Sequence, residues 1–221
     1  MKIAGFQKSS FVDFPGIMAA VIFTPGCNMR CGYCHNKHIL SADAPSVDPI
    51  SVMDYLNKRR NMLKGVVVSG GEPTLQPDLG SFLASLKGLG YKVKLDTNGT
   101  HPSVVKELTE KGLIDYVAMD IKAPKSKYTL ITGRDDWETI AKTASFLNSC
   151  GIAHEFRTTF CPELTDEDIV EISGSVVGDS DYYLQQYRQV EGQGLPHAKE
   201  YVEKTAEAVK ALGGKCVVRG L

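Results

Sequence analysis

The sequence lacks any apolar run near the roughly 20 residues that a membrane-spanning helix needs. Its opening, Met1-Lys2-Ile3-Ala4-Gly5-Phe6-Gln7, has no apolar signal segment. No sign of charge dominates either. There are 25 Lys and Arg against 26 Asp and Glu, so nothing draws the chain as a whole to nucleic acid or to an anionic membrane surface. Cysteine is sparse, six in all, and without a secretion signal a disulfide framework is not expected. These absences point to a cytoplasmic enzyme with no nucleic-acid or membrane partner. At 221 residues the chain can bury a core without covalent staples. One further absence matters more. Cys27, Cys31 and Cys34 stand together as C-x3-C-x2-C with no fourth thiol beside them. Cys150, Cys161 and Cys216 are scattered through apolar contexts and read as small buried hydrophobes.

What is present is a repeating pattern. Ile3–Phe14 reads as a short strand and a polar loop, and Asp13-Phe14-Pro15-Gly16 as a turn. The continuous apolar run Ile17–Thr24 predicts a strand buried on both faces, as in a parallel sheet. Asp48-Pro49 opens a helix, with proline at the first helical position. From there helices are predicted over 50–64, 79–89, 102–111, 137–149, 166–177 and 197–212. They alternate with strands over 65–69, 91–96, 115–120, 153–160 and 182–187, and residues 215–219 form a last strand or tail. No linker or shift in composition divides this βα alternation, so 1–221 reads as a single domain with a parallel sheet and crossover helices. The unusual residues fall after nearly every strand. That favours a partial (β/α)6 barrel, whose strand ends share one mouth, over a doubly wound sheet with a single switch point.

Three thiols can hold three corners of a cubane iron–sulfur cluster and leave the fourth iron open to a small molecule. Zinc is the alternative at this point, with His35 or His38 as a fourth ligand, although C-x3-C is a poor zinc spacing. Gly70-Gly71-Glu72-Pro73 marks a turn. Two residues without Cβ also let backbone approach a ligand closely, its carbonyls could accept from an ammonium group, and Glu72 adds a carboxylate. Asn98-Gly99 is not a hairpin turn, because His101-Pro102 opens a helix. Asp96 and Asp120 end successive strands, and a cation between them would offset their repulsion; the plainer reading is that each caps its own loop. Arg157 on a strand should be paired, with a ligand carboxylate or an aspartate, and Lys122 reads as a loop lysine.

Together these residues resemble the radical S-adenosylmethionine (SAM) enzymes. Cys27-x3-Cys31-x-Tyr33-Cys34 with Gly70-Gly71-Glu72-Pro73 carries the resemblance to the superfamily. Cys34-His35-Asn36 with Asp96-Thr97-Asn98-Gly99, Asp120-x-Lys122 and Arg157 narrows it to the glycyl-radical-enzyme activating proteins, nearest to those of anaerobic ribonucleoside-triphosphate reductase. The resemblance implies one 4Fe–4S cluster on Cys27, Cys31 and Cys34, whose open iron binds the methionine end of SAM. It implies that Gly70, Gly71 and Glu72 hold the SAM ammonium and that Tyr33 lies against adenine through its backbone. Asn98, Lys122, Arg157 and Gln186 are then further SAM contacts, and Asp13 lies on the loop near the target peptide. Asp96, Thr97, Ala118 and Asp120 match a monovalent-cation site. The family's Asp-Gly-Pro-Gly reads Asp13-Phe14-Pro15-Gly16 here, and the ferredoxin-like insert of larger members is lacking.

The function implied is reductive cleavage of SAM and abstraction of a glycine Cα hydrogen from a glycyl radical enzyme, served by a flavodoxin or ferredoxin-type electron donor. No side chain need act as acid or base. The competing readings are a radical SAM enzyme acting on a small molecule, such as a 7-carboxy-7-deazaguanine synthase-like activity, an activator of a pyruvate formate-lyase-type enzyme, and a non-catalytic iron–sulfur or zinc module. The last predicts metal binding without SAM cleavage.

Overall fold

A computed structural model describes residues 1–221. Contacts divide them into two compact units, each assembled from three separate stretches of chain.

The first unit comprises residues 1–28, 36–97 and 103–117. Its strands are β1 (Gly5–Ser10), β2 (Ala19–Thr24), β3 (Gly65–Gly70) and β4 (Lys92–Thr97). β2, β3 and β4 pair in parallel, in chain order, through the rows Ala19–Gly65–Lys92 and Val21–Val67–Lys94. β1 pairs antiparallel with β2 and slips register between Gln7 and Ser10, so the sheet is mixed rather than purely parallel. The connections of β2 to β3 and β3 to β4 carry helices α1 (Pro49–Arg59) and α2 (Leu79–Gly88), and α3 (Pro102–Glu110) follows β4. Asp48 starts α1 as expected, accepting from the Ile50 and Ser51 amides at 3.1 and 3.0 Å with Pro49 at the first position. The Val66-Val67-Val68 run is wholly buried. Removing each of those side chains from water is worth about 1.5–3 kcal/mol before entropy is counted.

The second unit comprises residues 29–35, 98–102 and 118–221, and the chain enters it within β5 (Tyr116–Asp120). β6 (Ala153–Phe160), β7 (Asp181–Gln186) and β8 (Lys215–Arg219) pair in parallel through the rows Glu155–Asp181–Lys215, Arg157–Tyr183–Val217 and Thr159–Gln185–Arg219. The predicted tail is therefore a strand. Its helices are α4 (Lys125–Thr132), α5 (Trp137–Cys150), α6 (Asp166–Ile172) and α7 (Lys199–Ala211). α4 was not expected. It is held by Tyr128, Ile131 and Thr132, one apolar stripe at i, i+3 and i+4, and it stops at Gly133. α6 is shorter than the predicted 166–177 because its last turn widens into a π-helical turn at Ser173–Val177. No helix of the chain is long and apolar enough to cross a membrane.

Candidate functional site

In the first unit, β2 runs out at Thr24 into the segment that leads to Cys27. The Gly26 and Cys27 amides are held by the Ile39 and Leu40 carbonyls at 2.8 and 3.2 Å. The Gly-Gly turn after β3 is docked onto this same segment. Gly71 N–H donates to Thr24 O at 2.9 Å, Glu72 N–H to Gly26 O at 2.8 Å, and the Gln76 side chain to Pro25 O at 2.8 Å. A Cβ at Gly70 would stand 2.3 Å from Thr24 N, and one at Gly71 would stand 2.0 Å from Gly26 O. The close approach foreseen toward a ligand is thus, first, an approach of protein backbone to protein backbone.

Glu72 has a similar outcome. Its carboxylate is buried and accepts from Thr74 N–H at 3.1 Å and from the Thr97 hydroxyl at 2.8 Å, capping the short 3-10 turn Pro73–Leu75. Asp96 is met by Lys94 Nζ at 2.8 Å, a lysine buried to 1% exposure that the sequence reading passed over. Asp13 closes its own loop, accepting a short hydrogen bond from Ser10 Oγ, which in turn accepts from the Asp13 amide at 3.2 Å.

In the second unit, Cys31 and Cys34 share one tight turn, with Cys34 N–H donating to Cys31 O at 3.1 Å, and Arg30 N–H anchors it to Thr132 O at 3.0 Å, the end of α4. Between them Tyr33 is buried, and its hydroxyl lacks a hydrogen-bond partner. Asn98 turns the chain after β4 by accepting from the Thr100 amide at 3.0 Å. Ala118 is buried in β5.

Asp120 is the centre of this unit's charges. Arg157 Nε meets one oxygen at 2.8 Å and Lys122 Nζ the other at 2.9 Å. Burial alone would raise the Asp120 carboxyl, but the Arg157 and Lys122 charges outweigh it and hold it well below the usual carboxylate range. Burial alone would lower Lys122; Asp120, followed by a thiolate at Cys31, raises it above an ordinary lysine instead. Burial first, then Cys31, pushes the Tyr33 phenol well up. Cys31, Tyr33, Asp120, Lys122 and Arg157 are therefore brought together within this unit. Lys122 is a paired lysine and not a solvated loop residue.

Gln186 is placed otherwise. It shares a strand face with Tyr182 and Leu184, and its Nε2 donates to His197 O at 2.9 Å, ahead of α7. Gln185, its neighbour, lies on the face of Arg157 and Thr159. That face also carries Glu155, wholly buried and clamped by both Arg219 nitrogens at 3.0 and 3.1 Å, while the Arg219 guanidinium lies 3.3 Å from the Tyr183 ring centre. Neither Glu155 nor Arg219 was foreseen. The period of two from Arg157 would have put Glu155 and Thr159 on its face, but pairing with a strand 64 residues away leaves no local trace.

Residues 21–175 match the radical SAM superfamily. The chain belongs to that superfamily. A protein of Methanocaldococcus jannaschii named as a candidate glycyl-radical enzyme activating enzyme is 38% identical over 195 residues, which cover 84% of this chain and 79% of the relative. The pyruvate formate-lyase-activating enzyme of Streptococcus mutans is 33% identical over 184 residues, covering 76% of this chain and 69% of that enzyme. Streptococcus suis SuiB bound to S-adenosylmethionine shares the fold, with a TM-score of 0.69 at 18% identity over 90% of this chain; the chain spans 52% of SuiB's length. The expected α/β fold of the radical SAM type is thereby established.

Radical SAM proteins use a 4Fe–4S cluster and S-adenosylmethionine, and the donor set fits both. Three thiols stand together in the sequence, Cys31 and Cys34 are fixed in one hydrogen-bonded turn, and the Lys122 charge stands beside Cys31 where thiolates would accumulate negative charge.

Proposed function

We propose that the chain is a radical SAM activating enzyme that abstracts a hydrogen atom from a glycine Cα of a partner glycyl radical enzyme, with anaerobic ribonucleotide reductase as that partner. The observation carrying this reading is the thiol turn of Cys31 and Cys34 beside the Asp120–Lys122–Arg157 ion triad. Likeness to named activating enzymes supports it. A 4Fe–4S cluster held on these thiols, with SAM beside it and a flavodoxin or ferredoxin-type electron donor, would supply the one-electron reductive cleavage of SAM from which glycine hydrogen abstraction follows.

The protein's own part is to bind, orient and exclude water. Cys27, Cys31 and Cys34 would ligate the cluster. The Gly70 and Gly71 carbonyls would accept from the SAM ammonium, whereas the Glu72 carboxylate, already engaged, holds the turn that presents them. Lys122 and Arg157, fixed on Asp120, would turn their remaining N–H groups to the SAM carboxylate. The Tyr33 and Asn98 backbone would face adenine. A monovalent cation on Asp96, Thr97, Ala118 and Asp120 would have to share carboxylates that already hold Lys94, Lys122 and Arg157. Asp13, locked to Ser10, would steady the loop toward the target, and Gln186 would act from the end of β7. Each compact unit draws on three stretches of chain, which supports residues 1–221 acting as one radical SAM domain.

The test is anaerobic reconstitution, then reduction with SAM and added partner. A glycine-centred paramagnetic signal is expected on anaerobic ribonucleotide reductase. A signal only on a pyruvate formate-lyase would reassign the partner, and consumption of a deazaguanine precursor without any signal would sink the activase reading. Cys31→Ala must lose cluster iron and 5′-deoxyadenosine formation together.

A further inference from the structure

Lys94 is the only lysine or arginine of the chain that is fully buried, and it stands in an apolar place. Its row on the sheet is Val21–Val67–Lys94, and the cluster around Val21 and Val67 holds Phe14, Ala19 and Tyr116. A leucine or methionine would fill that row without burying a charge, so the ammonium needs a reason of its own. The geometry supplies one. The aliphatic stem lies along the apolar face, and Nζ, 5.9 Å from the centre of the Tyr116 ring, reaches Asp96 Oδ1 at 2.8 Å, two residues nearer the C-terminal end of β4. Asp96 is its only hydrogen-bond acceptor. Lys94 therefore holds one carboxylate and little else.

Asp96 is the kind of group that calls for such a partner. Its side chain is 13% exposed, and a carboxylate so enclosed would draw a cation from solution if none were built in. The second unit meets the same need at the end of β5 with two cations, Lys122 and Arg157, on the one carboxylate of Asp120. An ion arriving from solution would find Asp96 already neutralised. At Asp120 it would find positive charges outnumbering the negative. Neither offers the surplus of negative charge that offsets the loss of an ion's water.

We propose that Lys94 is the resident monovalent cation of the β4 end, a positioning residue that fixes Asp96, and that the chain takes no sodium or potassium ion on Asp96, Thr97, Ala118 and Asp120. The inference rests on the reading that these strand ends serve SAM.

It is tested on the full chain, reconstituted with its cluster, by calorimetric titration with SAM in tetramethylammonium, sodium and potassium chloride at equal ionic strength. The native chain should bind SAM with one affinity in all three. Lys94→Met keeps the volume of the stem and removes the charge. It should bind about tenfold more weakly in tetramethylammonium and recover most of that loss in potassium. Lys94→Arg, which keeps the charge, should stay indifferent to the salt.

A native affinity that rises by about threefold or more with sodium or potassium would overturn the proposal, whatever the variants do. So would a Lys94→Met chain whose affinity is unchanged, or whose loss no ion repairs, since a lysine with only a structural role gives one or the other. Melting temperatures in the three salts, without SAM, separate this idea from the reading beneath it. A native chain that binds no SAM yet melts alike in all three, beside a Lys94→Met chain that potassium stabilises, would remove the SAM reading and keep the built-in cation. A native chain that binds SAM and is itself stabilised by potassium would do the reverse.

Discussion

Each unit carries three parallel-paired strands, β2–β4 in the first and β6–β8 in the second, with faces of contrasting chemistry. In the first, the face bearing Val21 and Val67 gathers Phe14, Ala19, Ile17, Phe23 and Tyr116 into an apolar cluster, interrupted by one buried pair, Lys94 with Asp96, under the Tyr116 ring. In the second, the corresponding face holds Glu155, Arg157, Tyr183, Gln185 and Arg219. Apolar burial stabilises in proportion to area and tolerates imprecise geometry. Buried ion pairs add little net stability, because desolvation offsets attraction, but they fix each charge in place and penalise its removal. One unit is thus built mainly to stay folded, and the other to hold charged groups at set positions.

The sharpest way to break that contrast is to remove the hub of the ionic face. Asp120→Ala leaves Arg157 and Lys122 facing each other and is expected to cost about 3–5 kcal/mol in denaturant titrations. The pH dependence has a definite sign. Asp120 is depressed, so its contribution is present above about pH 4 and is lost as pH falls toward its folded value. Lys122 is raised, so its contribution is present below about pH 10 and is lost as pH climbs through its folded value. The native chain should therefore show both limbs, and Asp120→Asn, which removes the titrating carboxyl and with it the main charge that raises Lys122, should lack the acidic limb and weaken the alkaline one, which thermal melts across pH will check.

Smaller effects sharpen the contrast. Gly71→Ala must push the Gly26 carbonyl away and is expected to cost about 1–3 kcal/mol, with lower iron retention after reconstitution as the local readout. Val67→Thr puts a hydroxyl into the apolar face and should cost about 2 kcal/mol. Helix caps should not distinguish the units: Asp48→Ala and Thr165→Ala, the latter breaking a capping box, should each cost about 1 kcal/mol. Smallest of all, Thr159→Val on the ionic face should lie within about 0.5 kcal/mol of the native chain. A large loss there would mean that the end row serves stability after all.

Local chemistry was well written in the sequence. Asp48-Pro49 opened its helix, His101-Pro102 ruled out the hairpin, and Ala153–Phe160 kept its predicted bounds. The thiol spacing left zinc open, and only together with Gly70-Gly71-Glu72-Pro73 did it carry the resemblance that named the cofactor class. What escaped was whatever depends on a distant partner. α4 is short, and beside the burial of Tyr128 and Ile131 it is tied at its end to a distant partner, the Arg30 amide on Thr132 O. The short strand within Ile3–Phe14 was legible, but its antiparallel direction was not, because six residues that mix polar and apolar without a clear period say nothing of the partner strand. The choice between Gln185 and Gln186 turned on strand parity, and one residue of slip reverses it. Lys94 was overlooked because a buried lysine is rare unless a carboxylate waits for it two residues on.

The Gly70-Gly71 pair also bears on how such motifs are read in other genomes. Both glycines are required by the neighbouring backbone at Thr24 and Gly26, whatever the protein binds. Selection for folding alone would keep them in a descendant that had lost its thiols and its chemistry. In a survey for active members, the glycine pair is a marker of ancestry, and the cysteines are the marker of trade still practised.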